Sequence, residues 1–147
     1  NPKVILAGRN TNDSMGTYIS STFLLEMNKR DIPVKGSNIL IMGLTFKENC
    51  ADIRNSGVEN VIKELNKNSC NIDLYDPWAN SNEINEIYNK YPNTNLINDT
   101  YDGVIITVAH EIFKNMGIKK IKNLCKKKCV IYDLKYLFSK QEVDIRL

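Results

Sequence analysis

The sequence predicts an α/β fold: a Rossmann-like, doubly wound parallel sheet that is preceded by a helix. Short, continuous apolar runs such as residues 38–42 and 103–108 are typical of strands that are buried on both faces. Segments with apolar residues at helical spacing separate these runs, and strands that alternate with helices favour a parallel sheet with right-handed crossovers. The length of 147 residues fits one domain with a core of ordinary size.

The first part of the chain differs in pattern from the rest. Residues 1–32 are predicted to be the end of a helical segment, with Asn12 or Asp13 as a helix N-cap. Residues 33–147 are predicted to form the sheet domain. The helix is more apolar than one small domain requires. The segment 31–37, which contains a proline and a glycine, is the predicted linker.

The elements of the sheet domain alternate along the chain. A strand at residues 38–42 leads into a polar loop at 43–55. Ser56 and Glu59 have the spacing of a capping box, which predicts that a helix begins there. The later elements are predicted as strands at 71–75, 95–97, 103–108 and 130–132 and as helices at 81–90, 111–116 and 118–124.

The segments that follow the strands are the candidates for a ligand site, because ligands of such sheets bind beyond the carboxyl ends of the strands. The first of these loops, residues 43–56, has a single glycine at its turn in place of the three of a dinucleotide fingerprint. It carries Phe46 and Lys47, and an aromatic ring beside a cation suits a nucleotide base with its phosphates. A surface loop in which Phe46 caps the core is the alternative.

Two further basic side chains have open interpretations. Arg54 lies just before a helix N-terminus, where an anion is stabilised, and it can also form a local salt bridge with Asp52. Lys135 follows the last predicted strand, where it is either a phosphate ligand or a solvated lysine. On these residues alone the chain is an α/β domain that binds an anionic nucleotide, with no reaction assigned.

The side chains predict no catalytic group and no metal site. The chain has one histidine, and its four cysteines form no CxxC pair, so a zinc site is not expected. Cys50 is interpreted as an unreactive thiol, since no histidine lies near it in the sequence. His110, which follows a strand, is interpreted as a packed residue, with a general base as the alternative.

Composition and charge exclude several classes of partner. The net charge of +3 is small, and the lysine-rich run at 119–128 has apolar residues at helical spacing, which is typical of a solvated helix face. Nucleic acid is therefore not an expected partner. No apolar run approaches the ~18–20 residues of a membrane span, so no membrane association is expected.

Unpaired cysteines indicate a reducing, cytoplasmic compartment. The chain does not begin with Met, which favours a piece of a longer protein.

Four motifs, taken together and in order, resemble one enzyme family. They are the loop Gly43–Ser56 and the runs Tyr75–Trp78, Val108–His110 and Asp133–Lys135. They resemble the C-terminal, UDP-binding domain of the UDP-glucose/GDP-mannose dehydrogenase family. The loop and the Asp-Pro-Trp sequence most resemble the UDP-N-acetylhexosamine 6-dehydrogenases of Vi-antigen and capsule biosynthesis. Residues 4–16 resemble the end of the family's central helical segment.

The resemblance implies an NAD-dependent, two-step oxidation of a UDP-N-acetylhexosamine to the uronate in surface polysaccharide biosynthesis. In this family an N-terminal Rossmann domain binds NAD, a central helix builds the homodimer, and the C-terminal domain binds the UDP part of the substrate. The catalytic cysteine, which forms a thiohemiacetal, lies upstream of the segment present here. No catalytic residue is therefore expected in this chain, and the chain alone is predicted to be inactive.

Residue roles are implied only where a position matches a family motif. Phe46 and Lys47 match the pair that contacts uridine diphosphate, and Lys135 takes the place of a basic residue that approaches the substrate. Arg54 matches the arginine that reaches the NAD side of the cleft. Many relatives have arginine at the position of Lys135, and lysine keeps the charge but loses the bidentate fork.

Two interpretations without this chemistry stay open. One is a stand-alone nucleotide-binding or regulatory module without catalysis. The other is a response-regulator-like domain, which requires an acidic cluster around a strand-end aspartate. Asp76 and Lys135 give only a partial match to that requirement.

Overall fold

The computed structural model of the chain describes the backbone of residues 2–147 and the side chains of residues 13–147. Most side chains of the segment 4–16, which carries part of the family resemblance, lie outside the described residues. The elements are α1 (Pro2–Lys29), β1 (Asn38–Met42), α2 (Val58–Lys67), β2 (Asn71–Tyr75), α3 (Ser81–Tyr88), β3 (Tyr101–Ile106), α4 (Glu111–Met116), α5 (Ile118–Leu124), β4 (Cys125–Asp133) and β5 (Ile145–Arg146).

Five parallel strands form one sheet in the order β2-β1-β3-β4-β5. Ile39 of β1 lies opposite Ile72 of β2 on one side and Gly103 of β3 on the other. The chain therefore crosses from β1 to one side of the sheet and then returns to the other, which creates a switch point between β1 and β3. This order confirms the predicted doubly wound α/β fold, and it places a crevice at the carboxyl ends of β1 and β3.

Hydrophobic cores cover both faces of the sheet. On one face α1 and α2 pack together, and Phe23 and Met27 of α1 share a buried cluster with Leu65 of α2. On the other face, Phe113 of α4 and Ile121 of α5 belong to a second buried cluster. Because helices cover both faces, the central strands are buried on both sides, which explains their continuously apolar sequences.

Gly103 allows α1 to approach the sheet closely. A Cβ atom at this position would lie 2.3 Å from Cζ of Phe23. The Phe23 ring in turn stacks on Tyr132 of β4, with 6.5 Å between the ring centroids. A side chain at residue 103 would therefore displace α1 from the sheet, because a packed interior cannot absorb the added volume.

α1 begins earlier than the sequence predicts. Its first residue is Pro2, so Asn12 and Asp13 lie within the helix and neither is its N-cap. The Asp13 carboxylate instead accepts a hydrogen bond from Nδ2 of Asn60 on α2, at 2.8 Å. Within residues 2–147 no helix, the 28-residue α1 included, has an apolar stretch that could cross a bilayer.

The predicted capping box at the start of α2 does not form. The N-cap is Gly57, which makes no side-chain cap bond. Ser56 precedes the helix, and its buried Oγ has no hydrogen-bond partner among the described residues. Asn55 adopts a φ of 58°, which turns the chain before the helix begins, and α2 starts two residues after Ser56. Glu59 nevertheless lies in the first turn, where a carboxylate complements the helix dipole.

The strands near the sheet edge depart most from the prediction. Residues 95–97 form no strand. β4 begins at Cys125, well before the predicted start, and a register shift separates its first pair with β3 from the later pairs. The exposed lysines at 126–128 show no strand periodicity, and they lie in the irregular stretch between the pairs Tyr101–Cys125 and Gly103–Val130. β5 has two residues, and its pairing with β4 defines it.

Candidate functional site

A cleft of about 190 Å³ lies at the carboxyl edge of the sheet, next to the switch point between β1 and β3. Thr107 and Val108, which directly follow β3, line one side. Met15 and Gly16 of α1 line another side, together with the first residues of α2. The cleft therefore occupies the position where sheets of this topology bind ligands.

Phe46 and Lys135 lie in the lining of this one cleft, although 89 positions separate them in the sequence. The Phe46 side chain is 60% exposed, which leaves a ring face available to a ligand. Lys135 is exposed on the segment that follows β4. An aromatic face and an ammonium group in one cleft suit a ligand that combines a planar base with negative charge.

The other two predicted site residues lie outside the lining of the cleft. Lys47 is exposed, and its carbonyl accepts a hydrogen bond from Oγ1 of Thr45 at 2.9 Å. Arg54 lines a separate groove beside α3, together with Trp78. The fold thus brings Phe46 and Lys135 together, places Lys47 beside Phe46 in the chain, and puts Arg54 in the neighbouring groove.

Arg54 forms a salt bridge with Asp52. Its Nε and one terminal nitrogen donate to the two carboxylate oxygens of Asp52, each at 3.0 Å, and its guanidinium side chain is 82% exposed. These side-chain hydrogen bonds, with one from the Arg54 amide, lower the pKa of Asp52 to about 2. The structure contains the local salt bridge that was one of the two interpretations of this pair, and a role of Arg54 with an anion stays a prediction.

The loop that carries Phe46 leaves β1 in a tightly constrained path. Gly43 has a φ of 113°, and a Cβ atom there would lie 2.6 Å from Cβ of Val108. Oγ1 of Thr107 donates a hydrogen bond back to the Met42 carbonyl at 2.8 Å. A non-glycine residue at position 43 would be strained by both its φ and this contact, so the turn after β1 needs its single glycine.

A buried polar cluster lies beneath the same loop. The carboxylate of Asp76, at the end of β2, accepts hydrogen bonds from the backbone amides of Leu44, Trp78 and Ala79. Nε2 of His110 lies 3.0 Å from the same carboxylate, and both side chains are fully buried. His110 is therefore packed, as the sequence predicts, and it contacts Asp76 away from the lining of the cleft.

Comparison with known proteins decides the family. The model of the UDP-glucose/GDP-mannose dehydrogenase family, UDP binding domain, matches residues 40–140. The chain belongs to the UDP-glucose/GDP-mannose dehydrogenase family. The resemblance seen in the sequence motifs is thereby confirmed.

Curated members of this family match almost the whole chain. A UDP-N-acetyl-D-glucosamine 6-dehydrogenase of Salmonella typhi is 45% identical over 146 residues, which is 99% of this chain and 34% of the relative. Protein CapL of Staphylococcus aureus is 33% identical over 98% of this chain and 34% of its own length. The chain therefore spans about a third of the length of the curated relatives that it matches.

Solved structures of the family share the fold. A UDP-N-acetyl-mannosamine dehydrogenase from Staphylococcus aureus superposes with a TM-score of 0.72 at 25% identity, covering 99% of this chain and 33% of the other. A UDP-D-ManNAc dehydrogenase from Pyrococcus horikoshii gives a TM-score of 0.72 at 20% identity, covering 94% of this chain and 31% of the other. At 20% identity, the match to the Pyrococcus horikoshii structure shows only that the two chains share a fold.

Asp133 fixes the backbone turn that carries Lys135. Its carboxylate is fully buried at the end of β4 and accepts hydrogen bonds from the amides of Lys135, at 3.0 Å, and Phe138, at 2.9 Å. The turn after β4 is thereby fixed with Lys135 at the cleft. An acidic residue at the end of a buried strand, as at Asp76 and Asp133, is the sequence signal for such a buried acceptor.

Sequence reasoning missed the hydrogen-bond partners of the loop after β1. Thr45 and Asn49 join His110 beneath the loop, through contacts that span more than 60 positions of the chain. Cys50 is half-buried in the same loop. Among the residues that the structure describes, no group of three or more His, Cys, Asp or Glu side chains could hold a metal ion.

Proposed function

We propose that this chain is the UDP-binding part of an NAD-dependent UDP-N-acetylhexosamine 6-dehydrogenase that works in surface polysaccharide biosynthesis. The observation that carries the proposal is the pairing of Phe46 and Lys135 in one cleft at the switch point of the sheet. The matched family model is that of a UDP binding domain, and the relatives in Salmonella typhi and Pseudomonas aeruginosa are named as UDP-N-acetyl-D-glucosamine 6-dehydrogenases.

Each side chain has a role in this proposal. The exposed ring of Phe46 stacks on the uracil base, since every base offers a π-face to an aromatic side chain. The Lys135 ammonium binds the diphosphate through charge-assisted hydrogen bonds. Lys47, in the same loop but outside the lining of the cleft, adds positive charge near the diphosphate.

NAD supplies the hydride acceptor of the proposed reaction and is held mainly by a part of the enzyme that this chain does not contain. The loop after β1 does not fit a dinucleotide, because side chains rather than glycines occupy the approach to the turn. Arg54 is the contribution of this chain to the NAD side. Its exposed guanidinium stands in the groove beside α3, paired with Asp52.

The helix α1 has exposed apolar side chains. We propose that residues 1–32 are the end of the central dimerisation helix and that 33–147 form the UDP-sugar domain. In support, α1 buries Phe23 in the core yet leaves Met15, Tyr18 and Leu25 about half exposed, which is typical of an apolar face that a second subunit covers. The compartment in this proposal is the cytoplasm, in line with the four free cysteines.

The experiment that tests the proposal is a calorimetric titration of the 147-residue chain with UDP and, separately, with AMP. We expect UDP to bind weakly, because the cleft of about 190 Å³ is smaller than the ~300–1,000 Å³ of complete ligand sites. AMP is expected to bind at least about tenfold more weakly, a difference of ~1.4 kcal/mol. Equal affinity for the two nucleotides would contradict the assignment to UDP and favour a general nucleotide-binding module.

The chain by itself is expected to form no NADH from UDP-N-acetylglucosamine and NAD. In this proposal the thiol that forms the covalent intermediate lies outside this segment. Cys50 is half-buried, and both ring nitrogens of His110, the one histidine of the chain, are bonded to Asn49 and Asp76. NADH absorbance measured over hours decides this. Steady formation of NADH that is lost in the variant Cys50→Ser would contradict it.

A further inference from the structure

His110 occupies the point where three separate segments meet beneath the candidate cleft. The loop after β1 contributes Thr45 and Asn49, the end of β2 contributes Asp76, and His110 itself precedes α4. The imidazole is fully buried and is absent from the lining of the cleft. Any effect of His110 on a ligand therefore acts through the residues that it holds.

The hydrogen bonds of the ring define its tautomer. Nδ1 accepts a hydrogen bond from the backbone amide of Asn49 at 2.9 Å, so the ring hydrogen lies on Nε2. Nε2 is 3.0 Å from Oδ2 of Asp76 and 3.2 Å from Oγ1 of Thr45. The Thr45 hydroxyl donates its own hydrogen to the Lys47 carbonyl and so can accept from Nε2. Both ring nitrogens are thus satisfied.

A second hydrogen bond joins the loop to the first residue of α4. Oδ1 of Asn49 accepts a hydrogen bond from the amide of Glu111 at 3.0 Å, and Asn49 has a φ of 52°. The loop is consequently fastened at Thr45 and again at Asn49. Phe46 and Lys47, the two residues proposed to meet uridine diphosphate, lie between these fixed points.

Aromatic packing fixes the plane of the imidazole. Trp78 stacks on it with 6.2 Å between ring centroids and an interplanar angle of 27°. Phe113 meets it edge-on, with 5.1 Å between centroids and an angle of 69°. With its plane fixed, the ring directs Nδ1 to the amide of Asn49 and Nε2 to the hydroxyl of Thr45.

We infer that His110 is a positioning residue for the substrate loop: it holds residues 45–49 in the conformation that presents Phe46 to the cleft. The inference rests on the proposed function in that uridine diphosphate is the ligand. A loop that must order on binding lowers the observed affinity in proportion to the fraction of molecules already ordered. His110 keeps that fraction high before the ligand arrives.

Three variants of the 147-residue chain separate the two ring contacts. His110→Phe keeps an aromatic ring against Trp78 but removes both hydrogen bonds. His110→Gln keeps a donor near the Nε2 position, and His110→Asn keeps an acceptor near the Nδ1 position. We expect UDP affinity to fall about tenfold in the phenylalanine variant and about threefold in each of the other two, as the ordered fraction decreases. Asn115→Ala, an exposed change on α4, is the matched control and should leave affinity unchanged.

A structural role alone would lower the unfolding midpoint without changing the affinity of the molecules that remain folded. Calorimetry is therefore done at a temperature where circular dichroism shows every variant folded. Unchanged UDP affinity in His110→Phe overturns the inference. If His110→Phe does not fold, His110→Gln and His110→Asn carry the test, because each retains one ring contact with the loop and loses the other. A loss of about threefold is then expected, and no loss overturns the inference.

Hydrogen exchange without UDP distinguishes failure of this inference from failure of the proposed function. In His110→Phe the amides of Phe46 and Asn49 are expected to lose protection while those of β1 and β3 keep it. If the unchanged chain does not bind UDP, the proposed function fails, and the exchange comparison still tests the positioning of the loop. Protection of both loop amides in His110→Phe overturns the positioning role.

Discussion

Replacing Asp76 with alanine is expected to lower the free energy of unfolding by about 3–5 kcal/mol. The carboxylate is fully buried and accepts hydrogen bonds from the amides of Leu44, Trp78 and Ala79. It also lies 3.0 Å from Nε2 of His110. Alanine would leave these donors buried without a partner, which costs more than the loss of a single exposed bond. Urea unfolding followed by circular dichroism measures the effect.

A matched control for this variant is available in the loop after β1. Asp52→Ala removes an exposed carboxylate whose partner, Arg54, is itself 82% exposed, and it is expected to leave the urea midpoint unchanged. Asp76→Asn, which keeps one acceptor oxygen, should fall between the two. If Asp76→Ala and Asp52→Ala unfold at the same urea concentration, the carboxylate of Asp76 does not hold the loop.

The double variant Phe46→Ala, Lys135→Ala is expected to weaken UDP binding by about 100-fold or more. Loss of base stacking costs ~1–3 kcal/mol, and loss of a hydrogen bond to a charged group costs ~1.5–3 kcal/mol. Each 1.4 kcal/mol is about tenfold in affinity. Both residues line the one cleft, so the two losses act on the same ligand. Calorimetric titration of each single variant and of the double variant measures them.

Controls of the same residue types test whether the cleft itself is responsible. Tyr91→Ala removes an exposed aromatic ring elsewhere, and Lys140→Ala removes an exposed lysine that lines a different hollow. Neither is expected to change UDP affinity. Lys47→Ala should weaken binding by only about threefold, and added salt should abolish that difference, because the lysine acts through solvent-screened charge. Equal affinity of the double variant and the unchanged chain would remove the cleft from UDP binding.

The central part of the fold follows from local sequence patterns. The runs that became β1 and β2 have the predicted bounds: β1 is continuously apolar because both of its faces are covered, and β2, at the sheet edge, alternates buried residues with more exposed ones. The apolar face of α2 is likewise regular enough to identify the helix. The predicted start of α2 at Ser56 was wrong, because Asn55 turns the chain with a φ of 58° and Gly57 is the N-cap.

The edge of the sheet depends on pairing and could not be predicted from local patterns. The first half of β4 contains three exposed lysines, which lie between its pair with β3 at Cys125 and the shifted register that starts at Val130. β5 consists of two residues whose bonds are all to β4. Such elements have no periodicity of their own, and long-range hydrogen bonds alone define them.

The sequence by itself determined the fold class, the family motifs and the kind of side chain that each loop carries. Only the tertiary structure decided which of those side chains meet. It brought Phe46 and Lys135 into one cleft, put Arg54 in the neighbouring groove, and fastened the loop through His110. The physical reason is the distance along the chain between the residues that determine each feature. Burial patterns and turns are set within a few residues, whereas a cleft at the edge of a parallel sheet joins segments that only the crossovers bring together.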